Sequence, residues 1–413
     1  MSLLRIGKRL SYLRKKVGLS LDQAGAGILS STHLSNIENG RFYPSEDILI
    51  LLARKYDVPE DYLLWYEKRD ASIDQPLREL LYLIFTDLKK AKEIVDSIDQ
   101  KGYISNIEQE TLFIILKTCF LIKSGKSYEE SFSLVKHYVT EGDISYPSYI
   151  HQSYVYLLAL YYFDVRDYEK SRLYFQTLDR YDLPVRIKSI IEFNILIILH
   201  HLNKRVHVLK QAEKALKLYY ENHLWEYVAE TYNILIGIYW KEKDYDTALK
   251  YAKKTLELVE TYNFLEIRSR VYHNVGLVYK SMKKTNEAIN YFSKAIDLKK
   301  KLNINTKSSY SSILDIYSST GDKNSFYEIY NTLEDTDIEY KFYESKLDSD
   351  LFFSNIDEFA MSLEELASNN RLQLAYLISH ELSNYYFNNR KYKQASIFLK
   401  KEIEYLKKLK GDV

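Results

Sequence analysis

Apolar residues recur at intervals of three and four along most of the chain, a spacing that predicts α-helices throughout. The clearest stretch, residues 268–298, reads RSRVYHNVGLVYKSMKKTNEAINYFSKAIDL. It alternates small residues (Gly276, Ala288, Ala295) with aromatic ones (Tyr279, Phe292). Small residues allow two antiparallel helices to approach closely, and aromatic rings fill the remaining space. One such hairpin cannot bury its own apolar face, so the stretch predicts similar hairpins on either side.

The residue at the turn between the two helices traces these hairpins along the chain. That position holds, in order, Tyr128, Tyr168, Val206, Tyr245, Thr285 and Tyr392. A small residue follows three positions later at Ser131, Ser171, Ala248, Ala288 and Ala395. The first five turns are about 40 residues apart, which resembles the tetratricopeptide repeat, whose minimal unit has about 34 residues. With two shorter units around residues 319–326 and 354–360, we expect about eight hairpins in a right-handed superhelix over residues 103–413.

The first 69 residues follow a different pattern, which predicts five short helices. They span residues 3–16, a second helix from residue 21, then 32–39, 46–56 and 59 to about 66. Gly18 and Gly40 stand where helices end, Ser20 can cap the second helix, and Pro59 suits a first turn. We therefore expect an all-α protein with a separate N-terminal domain at residues 1–69.

The residues of this N-terminal domain resemble the helix-turn-helix domain of the phage-repressor/XRE type. The most characteristic piece is SNIENG at residues 35–40, followed by Pro44, and the match covers nearly all of residues 4–66. The resemblance implies that the third helix enters the major groove of DNA, with Leu34 and Ile37 facing inward. The outward side chains that would reach base edges are Ser31, Thr32, His33 and Asn36. By the same resemblance, Glu38 is structural.

Two further residues of this domain are candidates for contact with DNA phosphates. Many relatives carry a phosphate-contacting Gln where this chain has Leu21, and Gln23 is the nearest substitute. Arg41 belongs to a local basic excess that can attract a polyanion. That excess consists of Arg5, Lys8, Arg9, Arg14, Lys15, Lys16 and Arg41, against Asp22 and Glu38. Taken alone, it also fits a solvated face. Gly25 and Gly27 fall in the predicted second helix and would weaken it.

Residues 70–102 are predicted to form a linker helix. Its apolar residues are spaced alternately by four and three: Leu77, Leu81, Ile84, Leu88, Ala91, Val95 and Ile98. This heptad pattern favours a seam between two copies of the chain. Over this length the same residues also fit a helix that packs along the following repeats. Helix-turn-helix proteins of this type usually bind two half-sites, so we expect a homodimer on a near-palindromic operator in double-stranded DNA.

The first helices of the hairpins would line a concave groove. Asparagine recurs on their inner positions, and its amide offers both a donor and an acceptor to the backbone of an extended peptide. Chance placement in an Asn-rich sequence is the alternative for any single residue. The candidate peptide-binding residues are Asn194, Glu230, Asn233, Trp240, Lys241, Arg270, His273 and Asn274.

The combination of an XRE-type domain, a linker helix and a tetratricopeptide array resembles the RRNPP regulators of the PlcR and NprR group. The resemblance implies a DNA-binding transcription regulator of the quorum-sensing type. A short signalling peptide in the groove would change how the dimer presents its DNA-binding domains, and Asn residues on the inner helices would hold the peptide backbone. The alternative is a repeat scaffold that binds a folded partner protein, with the N-terminal domain used for dimerisation or partner contact.

Composition narrows the remaining possibilities. Five prolines and 12 glycines in 413 residues favour long helices. The single cysteine, Cys119, excludes an internal disulfide and makes a Cys-based metal site implausible. With no phosphate-binding loop or nucleophile motif, we expect no enzyme, no cofactor and no metal. Arg5, Lys8 and Arg9 occupy the place of an apolar signal core, and no apolar run is long enough for a membrane span. A cytoplasmic protein with no membrane partner is therefore expected.

Overall fold

α-Helices and one short 3-10 helix form all the regular structure in the part of the chain that the computed structural model describes. The described residues are 2–139, 146–333, 337–369 and 371–410. The chain divides into two compact units, Met1–His201 (unit 1) and Leu202–Val413 (unit 2). The all-α prediction is confirmed. The boundaries predicted at residues 69 and 102 both fall inside unit 1 and stay a prediction.

Unit 1 begins with five short helices, which we call the head. They are α1 (Ser2–Lys16), α2 (Leu21–Gly25), α3 (Ser31–Glu38), α4 (Glu46–Lys55) and α5 (Glu60–Leu64). The hydroxyls of Ser20, Ser30 and Ser45 accept backbone N–H bonds at the starts of α2, α3 and α4, which satisfies donors that would otherwise lack partners. Gly40 ends α3 in the left-handed region (φ 68°). A Cβ there would lie 2.7 Å from Leu4 Cα, so only glycine fits between α3 and α1.

The prediction that Gly27 weakens the second helix is wrong. Helix α2 ends at Gly25, and Gly27 lies beyond it with φ 79°, in the connection to α3. Lys55 donates its ammonium to the carbonyl oxygen of Ala26 (2.8 Å) just past the helix end. The second glycine therefore shapes the turn between the two helices, where a left-handed residue is needed.

The stretch predicted as one linker helix forms two, α6 (Ala71–Thr86) and α7 (Leu88–Gln100), which pack against each other. Asp87 leaves the helical region (φ −154°, ψ 89°), and its carboxylate accepts the N–H groups of Lys89 and Lys90, both at 3.1 Å. Five of the seven heptad residues are buried inside unit 1: Leu77, Ile84, Ala91, Val95 and Ile98. Leu81 and Leu88 remain 36% and 37% exposed. Most of the heptad residues therefore pack within the chain, which agrees with the second interpretation of the pattern.

Helical pairs make up the rest of the chain. Unit 1 continues with α8 (Ile107–Lys123), α9 (Glu129–Tyr138), α10 (Ser148–Asp164), α11 (Tyr168–Thr177), the 3-10 helix Leu178–Arg180 and α12 (Val185–His201). Unit 2 contains α13 (Arg205–Glu221), α14 (Trp225–Lys241), α15 (Tyr245–Thr261), α16 (Leu265–Ser281), α17 (Thr285–Lys301), α18 (Lys307–Thr320) and α19 (Lys323–Tyr330). It ends with α20 (Ile338–Ser345), α21 (Ser349–Ser354), α22 (Ile356–Ser368), α23 (Leu372–Asn388) and α24 (Tyr392–Lys410).

The repeat period of about 40 residues has a direct structural origin in unit 2. Each helix from α13 to α17 has 17 residues. The four connections between these helices have three residues each, and the connection after α17 has five. Each contains one residue in the left-handed region: His223, Lys243, Asn263, Lys283 and Asn303, with φ between 54° and 62°. Longer helices therefore account for the excess over the minimal tetratricopeptide unit.

Gly276 and Phe292 explain why residues 268–298 have the clearest pattern. A Cβ on Gly276 of α16 would lie 2.6 Å from the ring of Phe292 on α17, so the absent side chain makes room for the ring. Ala288, Phe292 and Ala295 are fully buried. The predicted small-to-aromatic packing between the two helices is confirmed.

Candidate functional site

The outward surface of α3 carries most of the residues predicted to contact DNA. Thr32, His33 and Arg41 are exposed, while Ser31 and Asn36 are half-buried. The His33 ring stacks on Phe42, and Arg41 donates to the Asn36 side chain at 3.3 Å. Gln23 on α2 is exposed, and its amide oxygen accepts the N–H of Ser20 at 2.8 Å, so only its NH₂ group remains for a phosphate.

Buried residues fix the orientation of α3 within the head. Leu34 and Ile37 are fully buried. The Arg14 guanidinium donates two bonds to the Glu38 carboxylate, at 2.7 and 2.9 Å. Those bonds, the largest cause, raise the pKa of Arg14. The structural role expected for Glu38 agrees with this geometry.

The predicted basic excess of the head is mostly directed into the protein, which corrects its interpretation as a surface footprint. Arg5 and Arg9 are buried, and Arg14 is bonded to Glu38. Lys8 donates to the carbonyl of Tyr138 at 2.9 Å. Of the seven basic residues, only Lys15, Lys16 and Arg41 are exposed.

Helix α1 is fastened to the first helical pair of unit 1 through Arg9, which is fully buried. Its guanidinium donates to the carbonyls of Tyr62 (2.7 Å), Ser105 (2.6 Å) and Ile104 (3.2 Å). It also donates to the Glu110 carboxylate of α8 at 2.8 and 3.1 Å. Arg5 pairs with Glu108 nearby, and His137 of α9 bonds the carbonyl of Lys8 at 2.8 Å. The head is therefore bonded directly to α8 and α9.

A row of polar side chains crosses from α14 to α16 in unit 2, and we call it the polar row. Arg270 donates to Glu230, Asn274 Nδ2 donates to Asn233 Oδ1 at 2.8 Å, and Trp240 donates to Ser281 at 2.7 Å. Each bond joins nearly equivalent positions of successive repeats, about 40 residues apart. The structure thus brings together five predicted residues: Glu230, Asn233, Trp240, Arg270 and Asn274.

The three other predicted peptide-binding residues lie in different places. His273 is on the same helix as Arg270, and its Nδ1 bonds Ser309 Oγ of α18 at 3.0 Å. Lys241 is exposed at the last position of α14. Asn194 is half-buried on α12 and belongs to unit 1, so the grouping with Asn233 and Asn274 stays a prediction.

A charged cavity of about 610 Å³ opens next to the polar row, and sequence reasoning found only one of its lining residues, His273. We call it the charged cavity. Its lining includes Lys280, Ser308, Ser311, Lys307, Glu339 and Arg371. Lys280 bonds Asp315, and Arg371 bonds Asp337 at 2.7 and 3.0 Å. Lys280 lies on α16, and Lys307, Ser308 and Ser311 lie on α18. Glu339 and Arg371 lie in the less regular part of the array, where the repeat spacing is too weak to predict which positions face the groove.

Burial and neighbouring charges shift several protonation equilibria in this region. Burial, together with Lys299 and Lys280, lowers the pKa of His273 to about 4, so the ring is neutral near pH 7. Burial raises the pKa of Glu230, and Arg270 opposes that shift. Burial by itself would raise the pKa of Asp337, but the hydrogen bonds from Arg371 and Lys307 lower it to about 2. At neutral pH the His273 ring at the cavity is therefore uncharged, and Asp337 is an ionised carboxylate that pairs with Arg371.

Unit 1 has a cavity of the opposite character, with a volume of about 760 Å³, which we call the apolar cavity. It lies between α6 and the helices α8, α10 and α12. Its lining includes Leu77, Leu81, Phe85, Leu112, Leu183 and Ile191. At one end Gln109 bonds both the backbone of Asp70 and the carboxylate of Asp74 (2.7 Å), which ties α8 to α6. Such a cavity accepts apolar groups by shape.

Neither a metal cluster nor a membrane-spanning segment is found in the part of the chain described. No three His, Cys, Asp or Glu side chains there are arranged to hold a metal ion. No described helix has both the length and the apolar character needed to cross a bilayer. Cys119 is fully buried, and burial raises the pKa of its thiol.

Family models match two parts of the chain. The helix-turn-helix model matches residues 10–63 and the tetratricopeptide repeat model matches residues 227–301. Compared by sequence alone, the chain has no match among curated proteins. The N-terminal match lies within the head, and the second covers nearly all of α14 to α17, including the residues of α14 and α16 that form the polar row.

Three similar solved structures share the fold. A Rap protein complexed with competence and sporulation factor has a TM-score of 0.60 and 16% identity, over 82% of this chain and 98% of that one. The apo quorum sensor NprR of B. thuringiensis has a TM-score of 0.59 and 14% identity, over 81% and 99%. NprR in complex with its cognate peptide NprX has a TM-score of 0.54 and 14% identity, over the same shares. The predicted resemblance is confirmed in architecture: a helix-turn-helix segment and tetratricopeptide repeats in a Rap- and NprR-like fold.

Proposed function

We propose that this protein is a transcription regulator that binds DNA through the head and a short signalling peptide along the polar row. The bond between Asn233 and Asn274 is the observation that carries the proposal. It uses one donor and one acceptor, so each amide keeps its other polar atom for a ligand. Such a pair can hold the backbone of an extended peptide whatever its side chains. The Rap and NprR structures with bound peptides support this reading by their shared fold.

The DNA-binding part of the proposal rests on the exposed face of α3. Thr32, His33 and Asn36 present hydroxyl, imidazole and amide groups that suit base edges, and Lys15, Lys16 and Arg41 remain for phosphates. Two copies of the chain would place two heads on a near-palindromic operator. Because the head is bonded to α8 through Arg9 and to α9 through Lys8, the peptide would act by changing the arrangement of the two heads in the dimer.

Affinity selection tests the proposal with the full chain. Duplexes are selected from a randomised DNA library, and heptapeptides are selected separately from a random pool. The best retained peptide is then added to the protein and its selected DNA. We expect the peptide to change the DNA affinity, and Asn233→Ala to abolish that change while leaving DNA affinity without peptide intact.

Asn290→Ala is the matched control, because Asn290 is exposed on α17, the helix that pairs with the α16 helix of Asn274. It should respond to the peptide like the unaltered protein. A full peptide response in Asn233→Ala would contradict the assigned polar row. Failure to retain any DNA at low salt, with the head folded, would contradict DNA binding.

The inward direction of Arg5, Lys8, Arg9 and Arg14 favours a second candidate, a repeat scaffold for a folded partner protein. In that case the head contributes packing and dimerisation and has little electrostatic attraction for DNA. Recovery of one stoichiometric partner protein, with neither DNA nor peptide retained, would favour the scaffold.

A further inference from the structure

Lys299 of α17 is a buried cation without a carboxylate partner among the described residues. Lys299 is only 6% exposed. Its ammonium donates to the hydroxyls of Ser309 (3.1 Å) and Ser308 (3.3 Å). Burial lowers the pKa of Lys299, and Arg270 adds to that effect. A buried charge normally requires an opposite charge, because hydroxyl dipoles compensate only part of the lost hydration.

The hydroxyls that bond Lys299 separate it from the charged cavity. Ser308 lines the cavity, and Ser309 bonds His273, which also lines it. The ammonium therefore lies one hydroxyl layer behind the cavity wall. An anion in the cavity would feel this charge through a poorly hydrated region, where electrostatic attraction is stronger than in water.

The cavity also has an excess of positive charge among the described residues. Four cations line it or bond a lining side chain: Lys280, Lys299, Lys307 and Arg371. Three carboxylates do the same: Asp315, Asp337 and Glu339. Asp315 is shared with a fifth cation, Lys346, at 3.4 Å. His273, with its pKa near 4, adds no charge at neutral pH.

Ser311 provides a second and independent indication of a ligand. It is 4% exposed, it lines the cavity, and its Oγ has no hydrogen-bond partner within the described residues. A buried hydroxyl without a partner costs about 1–3 kcal/mol, and an acceptor oxygen in the cavity would remove that cost.

We propose that the charged cavity of unit 2 binds a carboxylate, supplied by the C-terminus of the signalling peptide. The assignment rests on the proposed function, because α16 carries Arg270 and Asn274 of the polar row that would hold the peptide backbone and also supplies His273 to the cavity wall. Ser311 donates its hydroxyl to the carboxylate, and Lys280 and Arg371 also line the cavity. Lys299 supplies the uncompensated charge from behind Ser308. A peptide with an amidated C-terminus lacks the anion and binds less well.

Two random heptapeptide pools test the proposal, one with free carboxyl termini and one with carboxamide termini. The full chain should retain the free-carboxyl pool at least tenfold more strongly. Lys299→Met should lose that preference, and Lys299→Gln should do the same. Lys294→Met, an exposed position on the same helix, is the control that should keep the preference.

The stability of Lys299→Met separates a binding role from a structural one. Replacing an uncompensated buried ammonium by an apolar side chain of similar length should leave the melting temperature unchanged or raise it. Loss of the carboxylate preference with no loss of stability would support the proposal. A lowered melting temperature would show that Lys299 serves packing, and would overturn it.

The remaining outcomes distinguish this proposal from the proposed function. Equal retention of both pools would leave peptide binding intact and overturn the carboxylate assignment. Retention of neither pool would overturn both. Inorganic phosphate is the third probe: if it raises the melting temperature of the unaltered protein and not of Lys299→Met, while no pool preference exists, the cavity binds a free inorganic anion and not a peptide terminus.

Discussion

Arg9 in unit 1 and Lys299 in unit 2 are both buried cations, but their surroundings differ. Arg9 donates to three carbonyls and to the carboxylate of Glu110, so every side of its guanidinium meets an acceptor. Lys299 meets two serine hydroxyls and, among the described residues, no counter-ion. A fully satisfied charge stabilises one arrangement of the chain. A buried charge that is only partly satisfied still lacks a counter-ion, and charges of this kind are often found at functional sites.

The same contrast extends to the two cavities. The apolar cavity is lined mainly by aliphatic and aromatic side chains, with charged residues such as Arg69 and Arg78 also in its wall, whereas the charged cavity is lined mainly by charged and hydroxyl groups. The proposed peptide function would use both kinds of cavity, because the side chains of a peptide differ and its backbone and termini do not. The difference shows why compensation, rather than burial alone, indicates which charges hold the fold and which await a ligand.

The largest effect that would test the comparison is expected for Arg9→Met. Removing Arg9 leaves the Glu110 carboxylate, 13% exposed, bonded to the Tyr62 hydroxyl but without a counter-ion, and should lower the free energy of unfolding by about 3–5 kcal/mol. Urea denaturation of the full chain measures this change. Lys16→Met on the same helix is the exposed control. The double variant Arg9→Met/Glu110→Leu should recover most of the loss, since it leaves no charge unpaired. If Arg9→Met left the free energy of unfolding unchanged, the distinction between the two cations would be lost.

The next effect concerns acid sensitivity at the charged cavity. His273 has a pKa of about 4 in the folded chain and about 6.5 when unfolded, so between these values the unfolded chain binds more protons. The free energy of unfolding contributed by this group therefore falls as pH drops from 6.5 to 4, by about 3 kcal/mol at most. His273→Gln should remove this part of the pH dependence.

Thermal unfolding of the full chain between pH 7 and pH 4 measures this difference. His207→Gln is a suitable control, since His207 is exposed on α13. The prediction fails if His273→Gln and the unaltered protein show the same slope in that range.

The smallest effect is expected at the surface of the head. Lys16→Gln should weaken binding to every DNA sequence by less than tenfold and reduce the slope of log affinity against log salt by about 0.9. Arg14→Gln should instead destabilise the head, because Arg14 bonds Glu38. Lys89→Gln on α7 is the exposed control. Salt titrations of DNA binding measure the slopes, and an equal reduction for Lys16 and Arg14 would contradict the inward assignment of Arg14.

The sequence alone determined the elements that depend on local pattern. Five head helices, the 40-residue period, the packing of Gly276 against Phe292 and the shared inner face of Asn233 and Asn274 all follow from spacing along the chain. They were predictable because helix periodicity, capping residues and repeats act between residues close in sequence or at a constant separation. The polar row was found for the same reason, since equivalent positions of successive repeats meet.

Only the tertiary structure decided where charges lie and which of them are compensated. The basic residues of α1 read as a surface footprint, and the structure placed Arg5 and Arg9 against carboxylates about 100 residues later in the chain. The heptad pattern of the linker predicted a seam between two chains. In the structure the helix breaks at Asp87, and the two resulting helices pack against each other within unit 1. The charged cavity joins α16 and α18 to Glu339 and Arg371, which share no repeat spacing with them. Whether a buried charge is compensated depends on which residues surround it in space. Where the repeat pattern is lost, the spacing of residues along the sequence does not predict those neighbours.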